Sequence, residues 1–292
     1  MTTPLEQSPF GPRVYLKRED VHELGSFKWR GALPTLEAYG DVGTVVTAST
    51  GNHGAATAWA AKQLDMHAVV YVPEQMSTTK LSHIERWGGE IRRAGVDLDE
   101  AKDIARAEAE SQGLPFFEDG AELAQYEGYS QIGHELLDQL DEPPAAVVVP
   151  VGNGGLMCGV GRAVLDRSPD TLRIGVVAAA APVMAESWEA GHPVRSTESA
   201  TFADGLAVRV AIPLAVATLS EVATSMLKVS ESEIAQAVRR YSVLGIRAEG
   251  AAAAALAALP RVPKVEGPVV LIMSGRNIDE ALLARLPELY EA

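Results

Sequence analysis

Residues 44–54 carry the strongest indication of the fold and read Thr-Val-Val-Thr-Ala-Ser-Thr-Gly-Asn-His-Gly. The β-branched run over residues 44–48 predicts a buried strand, and the alanine-rich segment that begins at Gly54 predicts a helix. Small polar residues between them predict a loop at the carboxyl end of the strand. Units of strand, loop and helix are typical of helices packed on a mostly parallel sheet.

The same alternation extends in both directions along the chain. Further strands are predicted at 13–17, 68–72, 90–93, 146–149, 173–177 and 269–273, and helices at 54–64, 77–87, 98–111 and 230–244. We therefore predict an α/β fold. Changes in composition near residues 39–43 and 118–128 predict a small domain over 40–124, inserted into a large domain formed by 1–39 and 125–292.

Composition and charge exclude several classes of function. The chain has 292 residues and a formal net charge of −14, opposite in sign to the basic surface that binding to nucleic acid or anionic membrane requires. The one cysteine, Cys158, cannot form an intramolecular disulfide, and the first ten residues lack the pattern of a signal peptide. A soluble cytoplasmic protein with a small-molecule substrate is expected, without nucleic-acid or membrane partners.

Ligands of parallel sheets bind at the carboxyl ends of strands, so the loop after residue 48 is a candidate site. The hydroxyls of Ser49 and Thr50 and the amides of Gly51 and His53 form a set of donors suited to the carboxylate of an amino acid. The alternative is an ordinary helix N-cap without a ligand.

A second loop of this kind follows the strand at 146–149 and contains Gly152, Asn153, Gly154, Gly155 and Leu156. Glycines allow the backbone to approach an anion, and the following helix dipole favours a phosphate. Neither a dinucleotide fingerprint nor a P-loop string is present. The alternative is a plain turn.

Two further residues carry chemistry of their own. Lys28 stands between Phe27 and Trp29, and the flanking rings are expected to desolvate its ammonium and favour a nucleophilic amine. A lysine whose stem merely packs on these rings is the alternative. Ser274 follows a buried strand, where its hydroxyl could donate to a neutral ring nitrogen.

These motifs together resemble the fold-type II pyridoxal-phosphate enzymes of the serine/threonine dehydratase group. The matching segments occur in family order: Thr3-Pro-Leu5, Leu16-Lys-Arg-Glu19, Ser26-Phe-Lys-Trp-Arg-Gly-Ala32, Ser49-Thr-Gly-Asn-His53, Gly152-Asn-Gly-Gly-Leu156, Ala203-Asp-Gly-Leu206 and Ser274-Gly-Arg-Asn-Ile278. The resemblance implies a fold like that of the tryptophan synthase β subunit, with two domains that each contain a mostly parallel sheet flanked by helices.

The resemblance also implies residue roles and a reaction. Lys28 would be bonded covalently to pyridoxal 5′-phosphate, with Phe27 against its ring. Asn52 would bind the phenolic oxygen, residues 152–156 the phosphate and Ser274 the pyridine nitrogen, with Glu249 near the ring. Ser49, Thr50, Gly51 and His53 would hold the substrate carboxylate. The implied reaction is β-elimination from a β-hydroxy α-amino acid, giving a 2-oxo acid and ammonia.

The sequence departs from the family pattern at Asn153 and Arg276, where glycine is usual. Arg276 is interpreted either as a selector for a substrate with a second carboxylate, such as 3-hydroxyaspartate, or as a surface ion pair. Residues 175–183 contain no acidic ligand, so no Mg²⁺ or Ca²⁺ dependence is expected from that site. The chain ends soon after Asn277, so allosteric control by an end product is not expected.

Alternatives to a dehydratase remain open. An amino-acid racemase needs a second acid/base group, and Thr50 stands where such racemases place serine, so Thr50 is a second candidate catalytic residue. A β-replacement synthase is also compatible with the motifs, and a pseudoenzyme that retains the fold is the non-enzyme alternative. The resemblance implies a homodimer.

Overall fold

The computed structural model describes residues 1–76, 78–197 and 199–290, without the side chains of 78–80. It divides the chain into two compact units. Unit 1 comprises residues 1–27 and 129–292, and unit 2 comprises the contiguous residues 28–128. The domain boundaries inferred from composition, 39/40 and 124/125, stay a prediction.

Unit 1 is built on a six-stranded sheet with the order β1-β2-β9-β6-β7-β8. Its strands are β1 (Leu5–Gln7), β2 (Val14–Arg18), β6 (Ala146–Pro150), β7 (Leu172–Ala178), β8 (Ser225–Val229) and β9 (Val269–Met273). Only the β1–β2 pair is antiparallel among these neighbours. The carboxyl ends of the other five strands therefore lie at one edge of the sheet.

Helices flank this sheet. They are α5 (Leu123–Asp138), α6 (Gly155–Arg167), α7 (Val183–Ala190), α8 (Pro213–Val222), α9 (Glu231–Val243), α10 (Gly250–Ala258) and α11 (Glu280–Tyr290). The second unit boundary falls within α5. Every residue of α10 is buried, because its alanines let the helix pack closely in the core beside β6 and β9.

Unit 2 contains a parallel three-stranded sheet with the order β3-β4-β5. Its strands are β3 (Thr44–Ala48), β4 (His67–Val72) and β5 (Glu90–Arg93), and its helices are α1 (Trp29–Tyr39), α2 (Asn52–Gln63), α3 (Thr78–Glu85) and α4 (Leu98–Gln112). The α/β fold with mostly parallel sheets, which the sequence predicts, is thus confirmed. The seven predicted strands are all present.

A buried charge holds the amino-terminal segment of unit 1 in place. The ammonium of Lys17 is fully buried and lies 2.6 Å from Glu135 Oε2. It also donates to Gln139 Oε1 at 3.0 Å and to the Thr3 carbonyl oxygen at 2.7 Å. Because β2 and α5 are far apart in sequence, this network ties together the two chain segments that form unit 1.

In the described part of the chain, no helix is both long enough and apolar enough to cross a lipid bilayer.

Candidate functional site

The loop after β3 in unit 2 is ordered by its own polar groups. The amide of Gly51 donates to Ser49 Oγ at 3.2 Å, and the amide of Ser49 donates to the Tyr71 carbonyl oxygen at 3.1 Å. α2 then begins at Asn52 with no side-chain cap on its first turn. Ser49, Thr50, Gly51, Asn52 and His53 therefore lie together at the start of this helix, as the sequence predicts. Their binding roles stay a prediction.

Lys28, the first residue of unit 2, is the N-cap of α1. Its Nζ lies 2.8 Å from Asp119 Oδ1 and 2.6 Å from Asp119 Oδ2. The ring of Trp29 packs edge-on against Trp59. The amine thus pairs with a carboxylate distant in sequence, which the interpretation from its flanking aromatic residues did not anticipate.

Asp119 is the functional candidate that sequence reasoning missed. Its carboxylate accepts from Lys28 and from Gln125 Nε2, the latter at 2.8 Å, and Oδ1 lies 3.4 Å from His53 Nδ1. Burial opposes ionisation, but the charge of Lys28 and the hydrogen bonds from Lys28 and Gln125 hold the pKa of Asp119 well below its usual range. The only sequence signal was an acidic pair, Glu118-Asp119, between two patterned segments.

His53 is buried in unit 2, with 4% of its surface exposed. Its Nε2 lies 3.0 Å from Thr47 Oγ1 and 3.3 Å from the Phe117 carbonyl oxygen. The ring packs edge-on against Phe117. Burial lowers the pKa of His53, so that the neutral imidazole is favoured. Because both ring nitrogens face protein atoms, the amide of His53 rather than its ring remains suited to a ligand.

In unit 1, the loop after β6 packs its backbone against another loop. A Cβ on Gly152 would lie 2.1 Å from the Gly205 carbonyl oxygen, so only glycine fits there. Gly154 has φ of +99° and is the N-cap of α6, where it supplies no side-chain cap of its own. The Asn153 side chain accepts from the Gly155 amide at 3.1 Å, which gives this departure from the family pattern a local role.

Ser274 and Glu249 lie beside each other in unit 1. Ser274 directly follows β9 and is buried, and Glu249 precedes α10 and donates its amide to the Gly275 carbonyl oxygen at 3.1 Å. A Cβ on Gly275 would lie 2.7 Å from Glu249 Oε1, and one on Gly205 would lie 4.0 Å from the same atom. Unit 1 therefore brings Glu249, Ser274 and the Gly152 loop to one place.

The segment before Lys28 packs against the residues that follow Ser274. The Phe27 amide donates to the Ser274 carbonyl oxygen at 3.0 Å, and the Arg276 amide donates to the Gly25 carbonyl oxygen at 2.8 Å. A Cβ on Gly25, whose φ is +67°, would lie 2.4 Å from Asn277 Oδ1. Nη2 of Arg276 lies 3.5 Å from the His22 carbonyl oxygen, and the side chain is only partly buried.

Each unit by itself holds groups of a kind that an aldehyde-bearing phosphate cofactor requires. Within unit 1, a glycine-lined helix start suits an anion and a buried serine stands at a strand end. Within unit 2, Lys28 is a primary amine. The Ser26 hydroxyl, two residues before this amine, is buried and has no hydrogen-bond partner among the described residues. Within the same residues, no group of three or more His, Cys, Asp or Glu side chains could hold a metal ion.

Comparison with known proteins points in the same direction. A family model described as "Pyridoxal-phosphate dependent enzyme" matches residues 2–275. The chain is 31% identical to the biosynthetic L-threonine dehydratase of Lactococcus lactis, over 99% of this chain and 73% of that protein. It is 34% identical to the L-threonine ammonia-lyase of Geobacter sulfurreducens, over 92% of this chain and 68% of that protein.

Solved structures share the fold. The processed form of threonine deaminase isoform 2 from Solanum lycopersicum is similar with a TM-score of 0.94 and 30% identity, covering 100% of this chain and 84% of that one. The serine racemase of Dictyostelium discoideum is similar with a TM-score of 0.87 and 26% identity, covering 96% of this chain and 94% of that one.

Proposed function

Because this chain belongs to the family of pyridoxal-phosphate dependent enzymes, we propose that its substrate is a β-hydroxy α-amino acid such as threonine or serine. The protein is an ammonia-lyase that depends on pyridoxal 5′-phosphate. The proposed reaction removes the α-proton and the β-hydroxyl group, and hydrolysis of the product gives a 2-oxo acid and ammonia.

The residues of unit 1 would hold the cofactor. The amides at the start of α6 and the backbone of residues 152–156 would bind its phosphate, since a helix N-terminus stabilises an anion. The Ser274 hydroxyl would donate a hydrogen bond to the pyridine nitrogen, which leaves that nitrogen uncharged. Phe27 and Glu249 would line the ring. When bound, pyridoxal phosphate acts as the electron sink for the carbanion that forms at the α-carbon.

The residues of unit 2 would handle the substrate. Lys28 would form the covalent link to the cofactor and, once displaced by the substrate amine, would accept the α-proton at Nζ. Ser49 and Thr50, with the amides of Gly51 and His53, would bind the substrate carboxylate. Asn52 would donate to the phenolic oxygen of the cofactor. Fixing the carboxylate orients the α-C–H bond for proton transfer.

One observation carries this proposal: the glycine-capped start of α6, Glu249 and the serine after β9 are brought together within unit 1. A scaffold that only retained the fold would need the glycines for packing, but neither a buried serine after β9 nor a glutamate beside it. The pseudoenzyme alternative is therefore the weaker one.

Absorbance of the purified protein tests the proposal. We expect a yellow protein whose colour is bleached by borohydride and is absent in Lys28→Ala. Incubation with L-threonine and L-serine is expected to release ammonia and 2-oxo acid in equal amounts. A folded, colourless protein that takes up no added pyridoxal phosphate would refute the proposal.

Amino-acid racemisation is the second candidate, supported by the similarity to a serine racemase structure. Thr50 would then supply the second acid/base group, although its hydroxyl is a weak acid. The same incubations, analysed for optical inversion of serine, separate the two reactions. Inversion faster than ammonia release, lost in Thr50→Ala, would favour the racemase.

We also propose that the enzyme is a cytoplasmic homodimer. The single cysteine, which cannot form an intramolecular disulfide, supports the cytoplasmic location. The dimer is an expectation from the family. Sedimentation equilibrium of the purified protein measures the mass against the 30.9 kDa of one chain.

A further inference from the structure

His53 is a buried titratable group that the proposed reaction leaves without a chemical role for its ring. Its imidazole lies in the first turn of α2, 4% exposed, and both ring nitrogens approach other groups of unit 2. On one side are Thr47 and Phe117, and on the other is Asp119. Because the ring nitrogens are occupied by these neighbours, a ligand from solvent cannot reach them. The role of the ring must therefore be sought in its contacts with the neighbouring residues.

The hydrogen bonds identify which ring nitrogen titrates. The Thr47 hydroxyl donates to the Phe117 carbonyl oxygen at 2.7 Å, which leaves Thr47 Oγ1 as an acceptor. The carbonyl oxygen can only accept. Since Nε2 of His53 faces these two acceptors, Nε2 carries a hydrogen in both the neutral and the charged ring. Nδ1 is therefore the atom that gains or loses a proton, and it faces Asp119.

Asp119 lies between two possible cations. Its Oδ1 is 2.8 Å from Lys28 Nζ and 3.4 Å from His53 Nδ1. The charge on Asp119 raises the pKa of His53, whereas burial and the charges of Lys28 and Lys102 lower it. Lys102 is itself paired with Glu118, with Nζ 3.5 Å from Oε1. When Lys28 is charged, its ammonium balances the negative charge of the Asp119 carboxylate. The burial of His53 then keeps its ring uncharged.

We propose that Lys28 and His53 share Asp119 as a common counter-ion, so that His53 Nδ1 binds a proton when Lys28 no longer presents an ammonium to Asp119. This exchange rests on the proposed function. When the Lys28 ammonium reacts with the cofactor aldehyde, a C=N bond forms, water is released, and the ammonium beside Asp119 is consumed. His53 Nδ1 then takes up a proton from solvent, and Asp119 remains a carboxylate throughout. His53 is thus a positioning residue that supplies the positive charge opposite Asp119.

NMR titration of the full chain labelled with [¹³Cε1]histidine tests this coupling. His53→Gln assigns the His53 signal among the six histidines. In Lys28→Met, the midpoint of the His53 titration is expected to move to higher pH by about one pH unit or more, a tenfold gain in proton affinity. Lys28→Gln serves the same purpose should the methionine variant not fold.

Two matched variants provide the controls. Lys102→Met removes a cation that is paired with Glu118 rather than with Asp119, so it is expected to move the His53 midpoint less than Lys28→Met does. With Asp119→Asn as the reference, adding Lys28→Met is expected to move the His53 midpoint much less than it does in wild type. An unchanged midpoint in both Lys28 variants, or a movement of equal size without Asp119, would overturn the proposal.

NMR titration of the wild-type protein distinguishes failure of the shared counter-ion from failure of the proposed function. Addition of pyridoxal phosphate is expected to move the His53 midpoint upward, whereas inorganic phosphate alone is not. Uptake of the cofactor with no change at His53 overturns the shared counter-ion and leaves the enzyme assignment intact. If no cofactor is taken up, the function fails, and the Lys28 variants still decide whether the two cations are coupled.

Discussion

Gly152→Ala is expected to displace the loop that precedes α6. Its added Cβ would lie 2.1 Å from the Gly205 carbonyl oxygen, whereas Cβ contacts under 3.0 Å are essentially absent from real structures, so the two backbones must separate by about 0.9 Å. Forced repacking of this size costs about 1–3 kcal/mol of unfolding free energy. For a unit of this size, that corresponds to a Tm lower by about 2–12 °C.

The same movement shifts the amides at the start of α6 away from a bound phosphate. Loss of one hydrogen bond to a charged group weakens binding by about 1.5–3 kcal/mol, which is at least tenfold in Kd. Fluorescence titration with pyridoxal phosphate measures this Kd, and thermal unfolding followed by circular dichroism measures Tm.

Gly191→Ala provides the matched control. Gly191 follows α7 with φ of +72°, and a Cβ there would meet nothing within 4 Å. We expect a loss of about 1 kcal/mol from backbone strain alone and an unchanged Kd. The reasoning is wrong if Gly152→Ala keeps the wild-type Kd, or if both variants weaken cofactor binding equally.

Three further predictions concern charged groups. Because the folded-state pKa of Asp119 is held below its usual value, its ionisation stabilises the fold above about pH 4, and this contribution is lost as the pH falls. In urea unfolding, Asp119→Asn is expected to be about 1–3 kcal/mol less stable than wild type at pH 7 and closer to wild type at pH 3. Glu118→Gln is the neighbouring control. Arg276→Ala is expected to lower kcat/KM for 3-hydroxyaspartate about tenfold relative to threonine, and an unchanged ratio would contradict a selecting role. Dialysis against a chelator is expected to leave ammonia release unchanged, and activity restored only by Mg²⁺ would contradict this.

Most of the parallel strands were predictable because they are short runs rich in β-branched residues between polar loops. Two strands were missed for physical reasons. β1 (Leu5–Gln7) has three partly or fully exposed residues, and β8 (Ser225–Val229) is an edge strand whose residues are mostly half-buried. Neither produces the continuous apolar run by which buried strands are recognised.

The glycine loops and the place of Ser274 at a strand end were predictable, because the local backbone conformation determines which residue types can stand there. Gly154, with its positive φ, illustrates a position at which residue type and backbone geometry are directly linked. Asp119 was not predictable, because its role arises from a contact with Lys28 that spans 91 residues. No periodicity or motif around Asp119 reports which cation the fold will bring to it.

The buried Lys17 also constrains the order in which the chain can fold during synthesis. Its carboxylate and amide partners, Glu135 and Gln139, are 118 and 122 residues away. Unit 2 is contiguous, so all of its residues have left the ribosome once residue 128 has emerged. The amino-terminal strands must wait until α5 emerges, and until then the Lys17 ammonium stays in water. The inserted unit therefore matures before the one that surrounds it in sequence.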